Sequence, residues 1–580
     1  MEKRFDSKVR VVRSRKLFGL AILVGILSGV AAISLAFLID LFTFIVFRVI
    51  GGVEVAEAPG MPSLFGSIDF TLSARPLLFA IPIIAGLIVG YIIYHISPEV
   101  EGSGLDQVMT IYHNERGKVR ERVPLVTTLS SAITIGVGGS AGKEGPSAEI
   151  GGSIGSIVAD KFHLTSQDRE ILLLTGAAAC LGAIFKSPFG AALFIIEILY
   201  AKDYEVEAFI YCVIATFISY GIFSSVFGWG PLFSTPTYGF IPQELPLFVL
   251  LGLACALVGV IFIKVFLTLK NRIFSSLQMP KYLKPAVGMV LISLLLFFFP
   301  YATGPGYGQI QMVIDGVLPV SIILMMIVMK ILSTSFTIGS GNSGGAFAPS
   351  LVIGASIGGM FGLGAQLIFP MSITQSGIFV VIGMGAFVSA IANAPIAAIM
   401  LVSEMTGSYA ILPAAILASV AAYIAALKWS LYEPQLPDRT YSYARIPTLM
   451  YDLLSHVEVK KIMTNKFHKI LDEAKIVDLE ELCISTGQKS FPVMNNEGNI
   501  IGVVGCKDIS EISRERRETE TVREIMKTDF VSVFENFDLR TALHELISMD
   551  LSQIPVLDSR NRQKLLGVVR RADIEKIMEL

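Results

Sequence analysis

The chain has 580 residues, 53% of them hydrophobic and 16% charged, with a net charge of −2. Together with a mean hydropathy of +0.66, this excludes a soluble enzyme of such length and marks a polytopic membrane protein. The near-neutral balance argues neither for nor against nucleic acid, and no nucleic-acid partner is expected. Cys180, Cys212, Cys255, Cys483 and Cys506 lack CxxC spacing, and the six histidines form no ligand cluster. Neither a disulfide framework nor a metal site is therefore expected.

The N-terminus, residues 1–16, is basic, with Lys3, Arg4, Lys8, Arg10, Arg13, Arg15 and Lys16. The apolar run from Leu17 to about Ile50 is far longer than the core of a signal peptide. It predicts a long, tilted membrane helix whose basic flank keeps the N-terminus in the cytoplasm. Residues 51–70 carry Glu54, Glu57 and Asp69 but no Lys or Arg, as an outside loop would. A second span, Pro76–Ile96, returns the chain to a glycine loop, 101-EGSGLDQV-108, and to the basic 113-HNERGKVRER-122.

Between Val123 and Tyr200 the apolar segments are short and interrupted: 124–138, 146–160, 170–184 and 188–200. Several are too short to cross about 30 Å of hydrocarbon at about 1.5 Å per residue. Within them lies 136-GVGGSAGKEGPSAEIGGSIGS-156. Glycines there allow close backbone approach, and a helix opening at Pro146, with Glu149 in its first turn, would present free N–H groups. Irregular backbone at this depth survives only inside protein or beside water. The stretch therefore reads as a mid-membrane anion site with Glu144 as a fixed negative charge facing it. Lys143 and Lys186 either raise the local anion potential or serve packing. A span near 206–228 ends this half.

The second half starts with a long helix at Leu245–Lys270, a span at 284–299, a glycine loop 303-TGPGYGQI-310 and a helix over 318–335. The loop 337-TIGSGNSGGAFAPS-350 then opens another apolar helix, and short segments follow near 376–388, 394–405 and 411–427. Glu144 lies 127 residues after Leu17, and Phe347 lies 102 after Leu245. Broken helices at like places in two halves predict an inverted-repeat transport protein. Residues 17–228 form repeat 1, and 229–450 form repeat 2 with a linker.

Past Tyr432 the chain turns charged and repeats itself. Ile462-Met463 and Pro492-Val493 recur 63 residues on, Gly502-Val503-Val504 and Asp508-Ile509 recur 65 on. Each copy, 451–515 and 516–580, predicts helix–strand–turn–strand–helix around the turns NNEGN and DSRNRQK. The two make one compact α/β module in the cytoplasm. The fold class is thus an all-α membrane protein of short, broken helices plus a C-terminal α/β domain.

With these motifs in order, the chain resembles the CLC family of chloride channels and transporters carrying a C-terminal pair of CBS domains. Residues 102-GSGLD-106, 142-GKEGP-146 and 345-GAFAP-349 are similar to the family's ion-loop motifs, and Tyr432 in SLYEPQL falls where its pore tyrosine is expected. The resemblance implies a homodimer in lipid with one anion pathway per subunit. Ser103 and Tyr432 would hold chloride with the backbone N–H groups of Ala346 and Phe347. Glu144 would be the gate, its carboxylate and the anion being interchangeable ligands for the same donors. Leu105-Asp106 stands where the family often has Ile-Pro. In 194-FIIEILY-200, Glu197 matches one acidic position, a candidate proton relay or a structural partner. Ile198 stands where proton-coupled members carry a second acid. Chloride/proton exchange and a passive, pH-gated chloride channel both remain open, with exchange favoured. Asp508 and Asp573 match positions that in some members bind adenosine, although Gly505 and Arg570 replace the usual Ser or Thr; an adenine nucleotide or a purely structural role follows. The rival class is a membrane-anchored CBS sensor. No nucleophile–base pair points to an enzyme, and no cofactor is needed for transport.

Overall fold

The computed structural model describes residues 2–65, 76–239, 242–369, 375–442, 454, 456–509, 512–549 and 551–578. Asp69 and the 450/451 boundary lie outside them. The chain divides into two compact units, Met1–Ala444 and Arg445–Leu580.

Among its described residues the first unit has helices and no named strand. The first half contains α1 (Glu2–Thr43), α2 (Leu77–Ile96), α3 (Gly104–Asn114), α4 (Val123–Gly136), α5 (Glu144–Lys161), α6 (Ser166–Phe185), α7 (Pro188–Glu197) and α8 (Val206–Phe227). The second contains α9 (Leu245–Thr268), α10 (Lys284–Phe298), α11 (Tyr307–Ile314), α12 (Val320–Gly339), α13 (Phe347–Ile368), α14 (Gly377–Ala392), α15 (Pro395–Thr406) and α16 (Leu412–Ala426). Among the described residues, seven segments, with α1, α2, α8, α9, α10, α12 and α13 at their centres, are long and apolar enough to cross a membrane. α4, α7, α14, α15 and α16 are apolar but have 10–17 residues.

The halves correspond element by element. α1 and α9 both end in a π-helical turn, Phe44–Ile50 and Leu269–Phe274. The 3-10 turns Pro98–Val100 and Pro300–Ala302 precede α3 and α11. Gly138 and Gly341 both have φ of 99°, and Lys186 and Asn393 both have φ of 52°. The loop register is a shift of 203 residues, and the uneven helix-start spacing in the sequence comes from the longer connection after α1. Phe227, ending α8, lines the same cavity as Asp40 and Thr43, ending α1. Hence α9 starts from the face where α1 finishes, and the repeat is inverted. The face from which α1 starts is called the N-terminal face below.

Small residues let the short helices touch. A Cβ on Gly155 of α5 would lie 1.8 Å from the Leu172 carbonyl oxygen of α6, and one on Gly358 of α13 would lie 2.0 Å from that of Phe379 in α14. No larger side chain fits at either crossing, as expected where close backbone packing holds helices together in lipid.

Three expectations need correction here. α5 begins at Glu144, not Pro146, so Glu149 falls in its second turn. Proline costs nothing at the third helical position, because the N–H groups of the first turn have no intrahelical acceptor. In the second unit each copy gains a short leading strand. β1 (Ile470–Leu471), α17 (Ile476–Thr486), β2 (Ser490–Met494) and β3 (Ile500–Gly505) are followed by α18 (Arg514–Thr519). β4 (Val533–Phe534), α19 (Leu539–Ser548), β5 (Gln553–Leu557), β6 (Leu565–Arg570) and α20 (Arg571–Met578) repeat the plan. β1 and β4 run parallel to the middle strand, and the other pair is antiparallel. Two-residue strands leave no alternation pattern to read.

The copies are mutually completed: Thr464 bridges Val568 of β6, and Lys527 bridges Val503 of β3. Contrary to the spacing argument, Cys483 of α17 and Cys506 after β3 form a disulfide, with Cα atoms 6.1 Å apart. Packing of α17 against the end of β3 brings together residues 23 apart in sequence.

Candidate functional site

The two glycine loops meet at the centre of the first unit. Gly142 and Gly345 exchange backbone hydrogen bonds of 2.7 and 2.9 Å, and the Gly344 N–H donates to the Gly102 carbonyl at 3.1 Å. Three helices open at this junction: α3 after Ser103, α5 after Lys143 and α13 after Ala346. α11 opens after Gly306 and reaches it through Tyr307. None of the four has a side-chain cap. Uncapped N-termini carry unsatisfied N–H groups and partial positive charge, so their convergence gives this point a positive potential that suits an anion.

Glu144 is fully buried at this point. Its Oε1 accepts a hydrogen bond of 2.6 Å from the Tyr307 hydroxyl. Its Oε2 has no partner among the described residues. The carboxylate lies against bare backbone: Cβ atoms on Gly142 and Gly345 would fall 1.8 and 2.8 Å from Oε2. The hydroxyls of Ser103 and Tyr432 are also buried without a hydrogen-bond partner, and Tyr432 is within electrostatic reach of Glu144. Unpaired buried hydroxyls are costly, and an anion accepting from both would remove that cost. The Phe347 ring is fixed by Phe185 and Phe194, at centroid distances of 4.9 and 5.2 Å.

A cavity of about 110 Å³ leads to this site from the face opposite the N-terminal one, lined by Asp40, Glu57, Lys143, Thr303, Tyr307 and Gln309 among others. Lys143 is nearly buried there, with Nζ 2.9 Å from the Met61 sulfur and 5.7 Å from the Tyr307 ring centre. Lys186 instead donates to the carbonyls of Phe227 and Gly228, at 2.9 and 2.7 Å. It ties off the end of α8 rather than facing the anion site.

Glu197 and Glu404 are symmetry mates, each nine residues after the proline that opens its helix. Glu197 accepts from the N–H groups of Ile396 and Ala397, at 3.2 and 2.6 Å, at the start of α15. Glu404 accepts from Phe189, Gly190 and the Ser187 hydroxyl at the start of α7. Each helix thus ends in the carboxylate that caps the other. Glu197→Ala should strand the buried Ala397 N–H and the part-buried Ile396 N–H and lower stability by about 1–3 kcal/mol, read as the melting temperature of the detergent-solubilised protein. Unchanged melting with altered proton flux would make Glu197 a relay instead.

Tyr307 was not singled out in the sequence. It follows a glycine loop like that before Ser103, and a shift of 203 makes it the counterpart of Gly104. Lys330 of α12, fully buried, was also missed. Its Nζ donates to Gly304 at 2.6 Å and to Ala302 at 3.3 Å, holding the loop that carries Tyr307. In the second unit Asp508 is engaged: Oδ2 accepts from the Gly505 N–H at 2.8 Å and Oδ1 lies 3.0 Å from Lys527 Nζ. Asp573 lies half-buried in the first turn of α20.

Residues 85–427 match the Voltage gated chloride channel family, and residues 459–515 and 522–579 match the CBS domain. The H(+)/Cl(-) exchange transporter ClcA of Vibrio campbellii is 33% identical over 366 residues, 61% of this chain and 78% of that protein. Among solved structures, a slow cyanobacterial Cl-/H+ antiporter aligns with a TM-score of 0.61 and 22% identity, over 71% of this chain and 94% of that one. A eukaryotic CLC transporter aligns over 97% of this chain and 98% of its own, with a TM-score of 0.58 and 21% identity. The chain is a multi-pass membrane protein of the Voltage gated chloride channel (CLC) family with a C-terminal pair of CBS domains.

Proposed function

We propose that the protein exchanges chloride for protons across a membrane, as a homodimer with one pathway per subunit and both termini in the cytoplasm. The observation that carries this reading is a lone buried carboxylate, Glu144, set among uncapped helix N-termini beside two unpartnered hydroxyls, Ser103 and Tyr432. The N–H groups that would hold chloride, Ala346 and Phe347 among them, serve the carboxylate equally well. When Glu144 is ionised it competes with chloride. When protonated it has no charge to hold it there, and it leaves with its proton. One site thereby trades an anion for a proton. The exchange activity in the name of the Vibrio campbellii relative supports the same reading.

Ile198, buried and apolar, favours a second reading, a passive, pH-gated chloride channel. A proteoliposome under a pH gradient at symmetric chloride separates the two. Exchange moves the reversal potential off zero toward the proton equilibrium potential. A reversal potential that stays at zero leaves the channel.

For the CBS pair we propose either a structural role or adenine-nucleotide binding, with Asp508 and Asp573 as the positions a nucleotide would contact. A ribose at Asp508 would have to displace the Gly505 and Lys527 bonds.

A further inference from the structure

Exchange requires more than a gate. A proton on Glu144 must also be traded with water at the N-terminal face, and a fully enclosed carboxylate on the far side of Ser103 and Tyr432 has no such contact. The acid that makes this trade needs an uncommitted oxygen, partial access to water and a place beside the anion pathway.

Four other acids of the membrane unit each fail one of these tests. Glu197 and Glu404 have their oxygens engaged by helix N-termini. Glu205 accepts from the Tyr112 hydroxyl at 2.6 Å. Glu149 has an unpartnered Oε1 but is 2% exposed.

Asp106 passes all three. It stands in the first turn of α3, three residues after Ser103. Its Oδ1 is buried without a hydrogen-bond partner, while its side chain as a whole is 18% exposed. Its Oδ2 is 4.0 Å from Lys270 Nζ, at the end of α9 on the N-terminal face. Lys270 is paired more closely with Glu433, the residue after Tyr432, and Asn271 also donates to Glu433, at 2.8 Å. The Tyr432 hydroxyl is within electrostatic reach of both Asp106 and Glu144. Glu149 packs beside Gly104 on the other flank of α3, and Glu99 and Glu101 precede that helix.

We propose that Asp106 is the acid that takes protons from water at the N-terminal face and delivers them along the anion pathway to Glu144. This rests on the exchange reading. A close lysine partner would hold Asp106 permanently ionised. Glu433 draws Lys270 away, so the attraction on Asp106 is that of a looser pair and protonation remains accessible. The Tyr432 hydroxyl bonds neither acid, so the proton taken up on Asp106 is carried along the anion pathway to Glu144, and Asp106 returns to the carboxylate.

The test uses the full-length protein in proteoliposomes, with proton and chloride fluxes measured together. Wild-type coupling itself checks the exchange reading: with no proton flux in the wild type, that reading falls and this proposal with it. With coupling present, Asp106→Asn should lower proton flux by about 100-fold while chloride flux stays within about threefold. Asp106→Glu should restore coupling. Glu433→Gln, which frees Lys270 to pair with Asp106, should also lower proton flux. Undiminished coupling in Asp106→Asn overturns the proposal and leaves exchange standing. Equal loss of both fluxes without rescue by Asp106→Glu overturns it too, making Asp106 a structural prop.

Discussion

Glu144→Gln is expected to stop proton transport and leave a chloride flux that no longer responds to pH. Glutamine keeps the shape of the protonated acid and its capacity to bond Tyr307. It carries no charge at any pH, so it never competes with chloride as an anion and never carries a proton. A positioned acid–base group accounts for about 100- to 10,000-fold in rate, and the proton flux should fall by that order. Fluxes from the same proteoliposomes, one read with a pH electrode and the other with a chloride electrode, check it. A variant whose chloride flux keeps the wild-type pH profile would remove Glu144 from the gate. The structural basis is the burial of this carboxylate: an ionisable group in the membrane interior costs about 2.5–3.5 kcal/mol on insertion scales, and the Tyr307 hydroxyl donates to it.

Tyr307→Phe should loosen that same carboxylate without neutralising it. The phenylalanine ring fills the same space, and the change removes the 2.6 Å hydrogen bond to Oε1. A hydrogen bond to a charged group contributes about 1.5–3 kcal/mol, which converts to about 10- to 150-fold in an equilibrium. Chloride and the carboxylate compete, so weakening one favours the other: chloride should bind tighter by about tenfold or more. Calorimetry of chloride binding in detergent measures this directly. Unchanged affinity would mean that the Tyr307 bond does not restrain the gate. Lys330 lies behind this prediction, because it anchors the 302–304 carbonyls from which Tyr307 projects.

Glu144 could be found without a structure because its signal is local. Glycine, lysine, glutamate and proline within five residues, inside an apolar run, leave few alternatives for an acid in lipid. Ser103, Phe347 and Tyr432 needed the family resemblance, since a serine before a glycine or a tyrosine near a helix end is common. Tyr307 carried no comparable signal. Its partner lies 163 residues away, and the inverted symmetry that unites them is hidden by two halves with little sequence in common. The same holds for Glu197 and Glu404, each of which caps a helix in the opposite half.

From the sequence alone came the membrane class, the interrupted helices, the two halves and the repeated C-terminal module. Backbone polar groups cannot be left unpaired in lipid, so apolar runs must be helices, and glycine and proline mark where they break. Tertiary structure alone decided which helix ends face each other, where the Glu144 oxygens go, that Cys483 meets Cys506, and that Asp106 shares Lys270 with Glu433. The disulfide depends on how α17 packs at the end of β3, and the other outcomes on the packing of segments more than a hundred residues apart. There the contact energy belongs to pairs of surfaces, not to any stretch of chain.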